Sequence, residues 1–186
     1  MTNIVFEGVS INQTPYIIRY PKTSDLKELH RYINELSKEK TFISFQGEEI
    51  SLEDEKTYIQ SSLKRIADKK SIQLIVESNN KIIGVSGIDT KGRVNNHVGI
   101  FGISVAKDFR GQGIGKKLIE LAIQETKKNL SHIKIIHLEC FATNEAACNL
   151  YKSVGFKEYG KLPGGIAYKN NYVDEILMYY NLQDSK

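Results

Sequence analysis

Cysteine is scarce in this chain. There are two in 186 residues, Cys140 and Cys148, eight positions apart, with no C-x-x-C spacing and no histidine pair beside them. A disulfide-stapled fold is thereby excluded, and two buried, reduced thiols are expected. Long apolar runs are missing too: the longest, Val98 to Ala106, has nine residues and already contains glycine and serine, far short of the roughly 20 a membrane-spanning helix requires. Met1 to Ser10 lacks a basic region followed by an apolar block and a small-residue cleavage site, so a cytoplasmic protein is expected. Basic residues exceed acidic ones by only four, 26 against 22, and they are scattered rather than massed in a stripe, a weak footprint for nucleic-acid binding. His30, His97, His132 and His137 have no ligand spacing, and no metal is expected.

What is present is ordinary for a globular chain, 40% apolar and 26% charged, and the length suits one domain over residues 1–186 with a sizeable core. Tyr16 to Tyr20, between two prolines, reads as a first strand. Ser24 or Asp25 caps a helix whose Leu26, Leu29, Ile33 and Leu36 repeat at spacings of three and four. Ser51, with Asp54 three residues on, opens a second helix carrying Ile59, Leu63 and Ile66. Ser71 to Glu77 and Lys81 to Asp89 read as a hairpin across Asn79-Asn80, and His97 to Val105 as a nearly continuous apolar strand for the sheet centre. A helix over Gln112 to Asn129, a strand over Lys134 to Cys140, a short helix over Thr143 to Val154, and strands Phe156 to Lys161 and Tyr172 to Tyr180 around a Pro163-Gly164-Gly165 loop complete the order β-α-α-β-β-β-α-β-α-β-β. That order predicts a mixed α/β (α+β) layer with helices on both sheet faces.

Twelve of the 14 glycines fall between Gly84 and Gly165. Three lie in Arg110-Gly-Gln-Gly-Ile-Gly115, where the central strand gives way to an amphipathic helix. Bare backbone there lets several N–H groups converge on one anion, helped by the positive end of the helix dipole. Two other phosphate motifs fail: the dinucleotide fingerprint needs glycine or alanine where Lys116 stands, and a P-loop needs a glycine at Arg110 and a hydroxyl at Lys117.

Arg110-x-x-Gly113-x-Gly115, preceded by Gly102-Ile-Ser-Val105 and followed by Asn144-x-x-Ala147-x-x-x-Tyr151-x-x-x-Gly155-Phe156, resembles the Gcn5-related N-acetyltransferases. The resemblance covers Ile17 to Leu182 in element order, with decisive motifs only in residues 97–157. It implies a largely antiparallel sheet of six to seven strands with a central splay, and acetyl-CoA as co-substrate. It also implies that Ile103, Ser104 and Val105 line the pantetheine arm, that Arg110, Gly111, Gln112, Gly113, Ile114, Gly115 and Lys116 hold the diphosphate, and that the face bearing Asn144 contacts the cofactor. Asn144 equally suits a helix cap.

Acetylating an amine requires it to be neutral, whereas a lysine-like amine has a solution pKa of about 10.4, so a base is expected. Strand alternation puts Glu139 on the side of His137 and opposite Leu138 and Cys140. The resemblance to ribosomal-protein alanine N-acetyltransferases implies Glu139 as that base and Tyr151 as proton donor to the leaving thiolate; His97 and His137 are rival bases. Glu48, Glu49, Asp174 and Glu175 could surround a cationic acceptor. The implied activity is direct transfer from acetyl-CoA to a primary amine of a small molecule or a protein N-terminus. A homodimer is retained as an assembly, and neither membrane nor nucleic acid is an expected partner. The alternative is a non-catalytic acyl-CoA-binding sensor.

Overall fold

The structure, a computed structural model, describes residues 4–184. Its strands are β1 (Ile4–Val9), β2 (Pro15–Arg19), β3 (Ser71–Ser78), β4 (Lys81–Thr90), β5 (Val98–Val105), β6 (Ile135–Phe141), β7 (Lys157–Tyr168) and β8 (Asn171–Asn181), and its helices α1 (Leu26–Lys38), α2 (Leu52–Ala67), α3 (Ile114–Asn129) and α4 (Glu145–Ser153). All strands join one sheet in the order β1-β2-β3-β4-β5-β6-β8-β7. Every neighbouring pair is antiparallel except β5 and β6, which run parallel.

Strand alternation gives each face its own core. Ile72, Leu74, Ile88, Phe101, Ile136 and Leu138 pack with Ile114, Leu118 and Ala122 of α3. Ile75 and Ile82 pack from the other face with Leu29, Tyr32 and Leu36 of α1 and Ile59 of α2. Leu118 is fully buried in the larger cluster. Leu118→Ala is expected to cost about 2–5 kcal/mol, read as a lower urea midpoint; a loss below 1 kcal/mol would mean that the α3 contact collapses freely.

The mixed fold matches the expectation, with one more strand than six to seven. β1 is an edge strand bearing a register irregularity between Ile4 and Phe6, and with none of its six residues buried it carries little of the alternation by which strands are read. The expected Pro163-Gly164-Gly165 loop is instead inside β7, as a break in register between Leu162 and Ile166. Gly164 there takes φ +64°, and its N–H donates to Asp174 Oδ1 at 3.0 Å. The hairpin turns at Lys169-Asn170, both at positive φ. Ser51 caps α2 as expected, its hydroxyl accepting from the Asp54 N–H at 3.1 Å. At α1, a single 3₁₀ turn (Thr23–Asp25) leads in, and the Asp25 carboxylate accepts there from the Lys22 N–H at 2.8 Å; it makes no side-chain cap bond to α1, and two 2.8 Å bonds from the buried Arg19 guanidinium form with it a bidentate charged pair stronger than a neutral cap.

Candidate active site

β5 and β6 pair only over Val98–Ile100 and Ile135–His137. Beyond that point β5 continues with β4 as far as Val105, while β6 continues with β8 as far as Phe141. The two central strands therefore part, and the opening between them is a fork with its apex at Ile100 and His137. A cleft of about 580 Å³ lies over β4 and the β5 arm of the fork, lined among others by Leu36, Phe45, Tyr58, Gly87, Gly102 and Ser104. Its floor is hollow because Gly87 and Gly102 pair directly across β4 and β5, and a Cβ at Gly102 would meet nothing within 4 Å. A larger cleft, about 780 Å³, lies around Tyr20, Glu125 and Asn129 and touches none of the fork residues.

Past the end of β5 the chain makes a 3₁₀ turn (Lys107–Phe109) and then the glycine turn. Gly111 and Gly113 sit at φ +71° and +84°, in the left-handed region that glycine adopts without strain. Among the described residues, added Cβ atoms would meet nothing within 4 Å at Gly111 and only Ile11 at Gly113, which leaves open space above the turn. The first helical bond of α3 runs from the Lys117 N–H to the Gly113 carbonyl. The N–H groups of Ile114, Gly115 and Lys116 thus have no carbonyl behind them within the helix. Ile114 itself is 1% exposed, so its side chain serves the core and only its backbone faces the turn.

The other residues singled out at the turn are tied to the protein. Arg110 Nε donates to the Val105 carbonyl at 2.8 Å and Nη2 to Glu39 at 2.6 Å, linking the turn to the end of α1. Gln112 accepts from Ser10 Oγ at 2.9 Å, and its carbonyl accepts from the Ile11 N–H at 3.2 Å. The β1–β2 turn therefore braces the glycine turn. Ser104 accepts from the buried Tyr32 hydroxyl at 2.8 Å. Ser10, Tyr32 and Glu39 were not anticipated from sequence; their partners lie 71 to 102 residues away, and no local signal marks them. Asn144 is the cap of α4, its Oδ1 accepting from the Ala147 N–H at 3.2 Å.

Glu139 and Tyr151 flank the fork from opposite faces. Tyr151, on α4, is 8% exposed; its ring meets Phe101 edge-on, centroids 6.2 Å apart, and tilts against Phe156 at 5.9 Å. Burial above all, with Cys140 and Cys148 nearby, pushes its phenol well above the usual range, so at neutral pH it keeps its proton. The Glu139 side chain is 56% exposed, whereas Leu138 and Cys140, on the opposite face of β6, are buried. The two cysteines are free and buried, with sulfurs 3.3 Å apart. Burial first, then Cys148, pushes the Cys140 thiol up to about 12, which makes it a poor nucleophile.

The acidic residues expected around a cationic acceptor separate. Asp174 is committed to Lys161 at 2.5 Å and to the Gly164 N–H. Glu48 is exposed and accepts from the Gln46 N–H of its own loop, and Glu49 is exposed. Glu175 is half-buried beside the fork, opposite Phe141 in register; burial, then Glu139, raises its carboxyl pKa. His97 is exposed just before β5 begins, at the end of that strand away from the glycine turn.

The class this defines is a forked mixed sheet with a helix start at its open end whose free N–H groups suit an anion. Residues 30–156, more than half the chain, match the family model described as the acetyltransferase (GNAT) family, and the chain belongs to that family. N-alpha-acetyltransferase 30 of Saccharomyces cerevisiae is 39% identical over 64 residues, 34% of this chain and 34% of that protein. The ribosomal protein bS18-alanine N-acetyltransferase of Escherichia coli is 41% identical over 59 residues, 32% of this chain and 38% of that protein. The chain thus spans little more than a third of the length of these curated relatives. A GNAT-family acetyltransferase structure from Streptococcus pneumoniae superposes with a TM-score of 0.82 at 27% identity, covering 90% of this chain and 99% of that one.

Proposed function

We propose that this chain transfers the acetyl group of acetyl-CoA directly to a primary amine, that of a small molecule or of a protein N-terminus. The observation that carries the reading is the fork itself, open at the glycine turn and flanked by a carboxylate on one face and a protonated phenol on the other. Acetyl-CoA, when bound, supplies an activated thioester. The positive-φ glycines leave room for its diphosphate, and the free N–H groups of Ile114, Gly115 and Lys116 are the donors that group requires. Gly111, Gln112 and Gly113 complete the turn, and Lys116, exposed, adds positive charge; Arg110 shapes the turn through Val105 and Glu39. Ile103, Ser104 and Val105, with backbone no longer matched by β6, line the pantetheine arm, and Asn144 keeps its Nδ2 for the same ligand.

Glu139, reached from the cleft side, takes the proton of the acceptor ammonium. Tyr151, on the other face, gives its proton to the departing sulfur as the carbon–sulfur bond breaks and the carbon–nitrogen bond forms, and the second proton lost by the nitrogen as it becomes an amide restores the phenol by way of solvent. With Cys140 protonated and turned from Glu139, no covalent acyl-enzyme is invoked. By name, one of the two curated relatives is an N-alpha-acetyltransferase and the other acetylates an alanine of ribosomal protein bS18, which favours a protein N-terminal amine as the first acceptor to try.

The test is a screen of peptide N-termini and small amines with acetyl-CoA, following free thiol. Tyr151→Phe keeps the ring contacts and removes the proton donor, so kcat on a turned-over acceptor is expected to fall about 10²-fold with acetyl-CoA affinity unchanged. Unaltered kcat would make the phenol structural. Acetyl-CoA binding with no turnover of any amine would favour the sensor reading.

A further inference from the structure

His137 lies two residues before Glu139 on the same face of β6 and is the last β6 residue paired with β5, opposite Ile100. It marks the apex of the fork. The residue is 8% exposed, and its Nδ1 has no hydrogen-bond partner among the described residues. Nε2 faces Glu139 Oε1 at 4.0 Å, about one ångström beyond an N–H···O bond, a gap that a small rotation of an exposed glutamate or one bridging water closes. With nothing to accept a proton from Nδ1, the proton of the neutral ring belongs on Nε2, toward the carboxylate.

We propose that His137 is a positioning residue whose Nε2–H holds the Glu139 carboxylate over the mouth of the fork, where the acceptor amine arrives. This rests on the reading of Glu139 as the base. Among the described residues Glu139 has no other ion pair and no hydrogen bond, so without His137 its long side chain samples several rotamers in solvent. A neutral donor suits the task, because an imidazolium would hold the carboxylate as an ion pair and weaken it as a base. The titratable groups facing the ring are Lys91 from the β4–β5 connection, Glu139 on its own strand, Tyr159 of β7 with ring centroids 5.8 Å away, and Tyr179 of β8 directly opposite. Burial and then Lys91 lower the histidine pKa, against a smaller opposing effect of Glu139; the ring is neutral at pH 7 and charges only in acid.

Three substitutions separate positioning from packing. In His137→Gln the amide nitrogen reaches the place of Nε2, in His137→Asn it reaches only that of Nδ1, and His137→Phe keeps the ring against Tyr159 with no donor. Expected is an about 10-fold loss of kcat in the Asn and Phe variants, most of the rate restored in Gln, and the KM for acetyl-CoA unchanged in all three. The acid limb of the kcat profile should lose one proton of steepness in Gln. Independently of turnover, ¹⁵N-histidine NMR should show the neutral Nε2–H tautomer at pH 7, with its titration moved to lower pH by Glu139→Gln. An Asn variant as active as Gln, an Nδ1–H tautomer, or a titration that ignores Glu139→Gln would overturn the proposal. Full activity of Glu139→Gln would instead overturn the base assignment beneath it, and the NMR result tells the two failures apart.

Discussion

Glu139→Gln is expected to lower kcat/KM for amine acetylation about 10² to 10⁴-fold near pH 7, the range for one acid–base residue. The substitution keeps the shape of the side chain and removes its basicity, and because Glu139 is largely exposed the protein should fold as before. The loss should shrink as pH rises, since the neutral fraction of the acceptor grows without help from the protein. The pH of that recovery reports the acceptor class. An α-amine, with a pKa of about 8, regains rate one to two units above neutrality, whereas a lysine-like amine at about 10.4 does so only in strong alkali. Acetyl-CoA affinity should hold, because the glycine turn owes nothing to Glu139. A loss under tenfold at every pH, parallel to the unsubstituted protein, would return the role of base to His137 or to water.

Gly113→Glu is expected to abolish acetyl-CoA binding. At φ +84° any side chain costs about 1–2 kcal/mol of backbone strain, and among the described residues only Ile11, 3.8 Å away, comes near the new Cβ. The carboxylate would therefore occupy the space proposed for the diphosphate and repel it. At 100 times its Kd, acetyl-CoA adds about 2.7 kcal/mol to stability, which for a chain of this length raises Tm by roughly 5–10 °C. The unsubstituted protein should show that rise and the variant none. Comparing each protein with and without ligand separates binding from the strain, and an equal rise in both would remove the diphosphate from this turn.

Much of the fold was legible because its signals are local. The i, i+3, i+4 apolar spacing of α1 and α3, the Ser51 cap, the Asn79-Asn80 turn and the apolar run of β5 each act within a few residues of themselves. The elements that escaped are those whose stability comes from elsewhere. β1 is an edge strand with no buried residue and is held by pairing with β2, and the Pro163-Gly164-Gly165 segment is drawn into β7 by a partner strand and the Asp174 carboxylate. Asp25 had the residue type of a helix cap, yet Arg19 was the stronger partner.

For the site, sequence by itself determined the glycine turn, because left-handed φ and an uncovered helix start are backbone properties written in three glycines and their neighbours. It also determined the alternation that sets His137 and Glu139 on one face of β6. Only the tertiary structure decided that β6 leaves β5 at His137 and that the Glu139 side chain stays exposed. It alone tied Arg110 to Glu39, Gln112 to Ser10 and Tyr32 to Ser104, and left Nδ1 of His137 without a partner among the described residues. The physical reason is that a fork and a long-range polar contact depend on which strands sit side by side, and strand neighbours are chosen by burial over the whole sheet rather than by any stretch of chain.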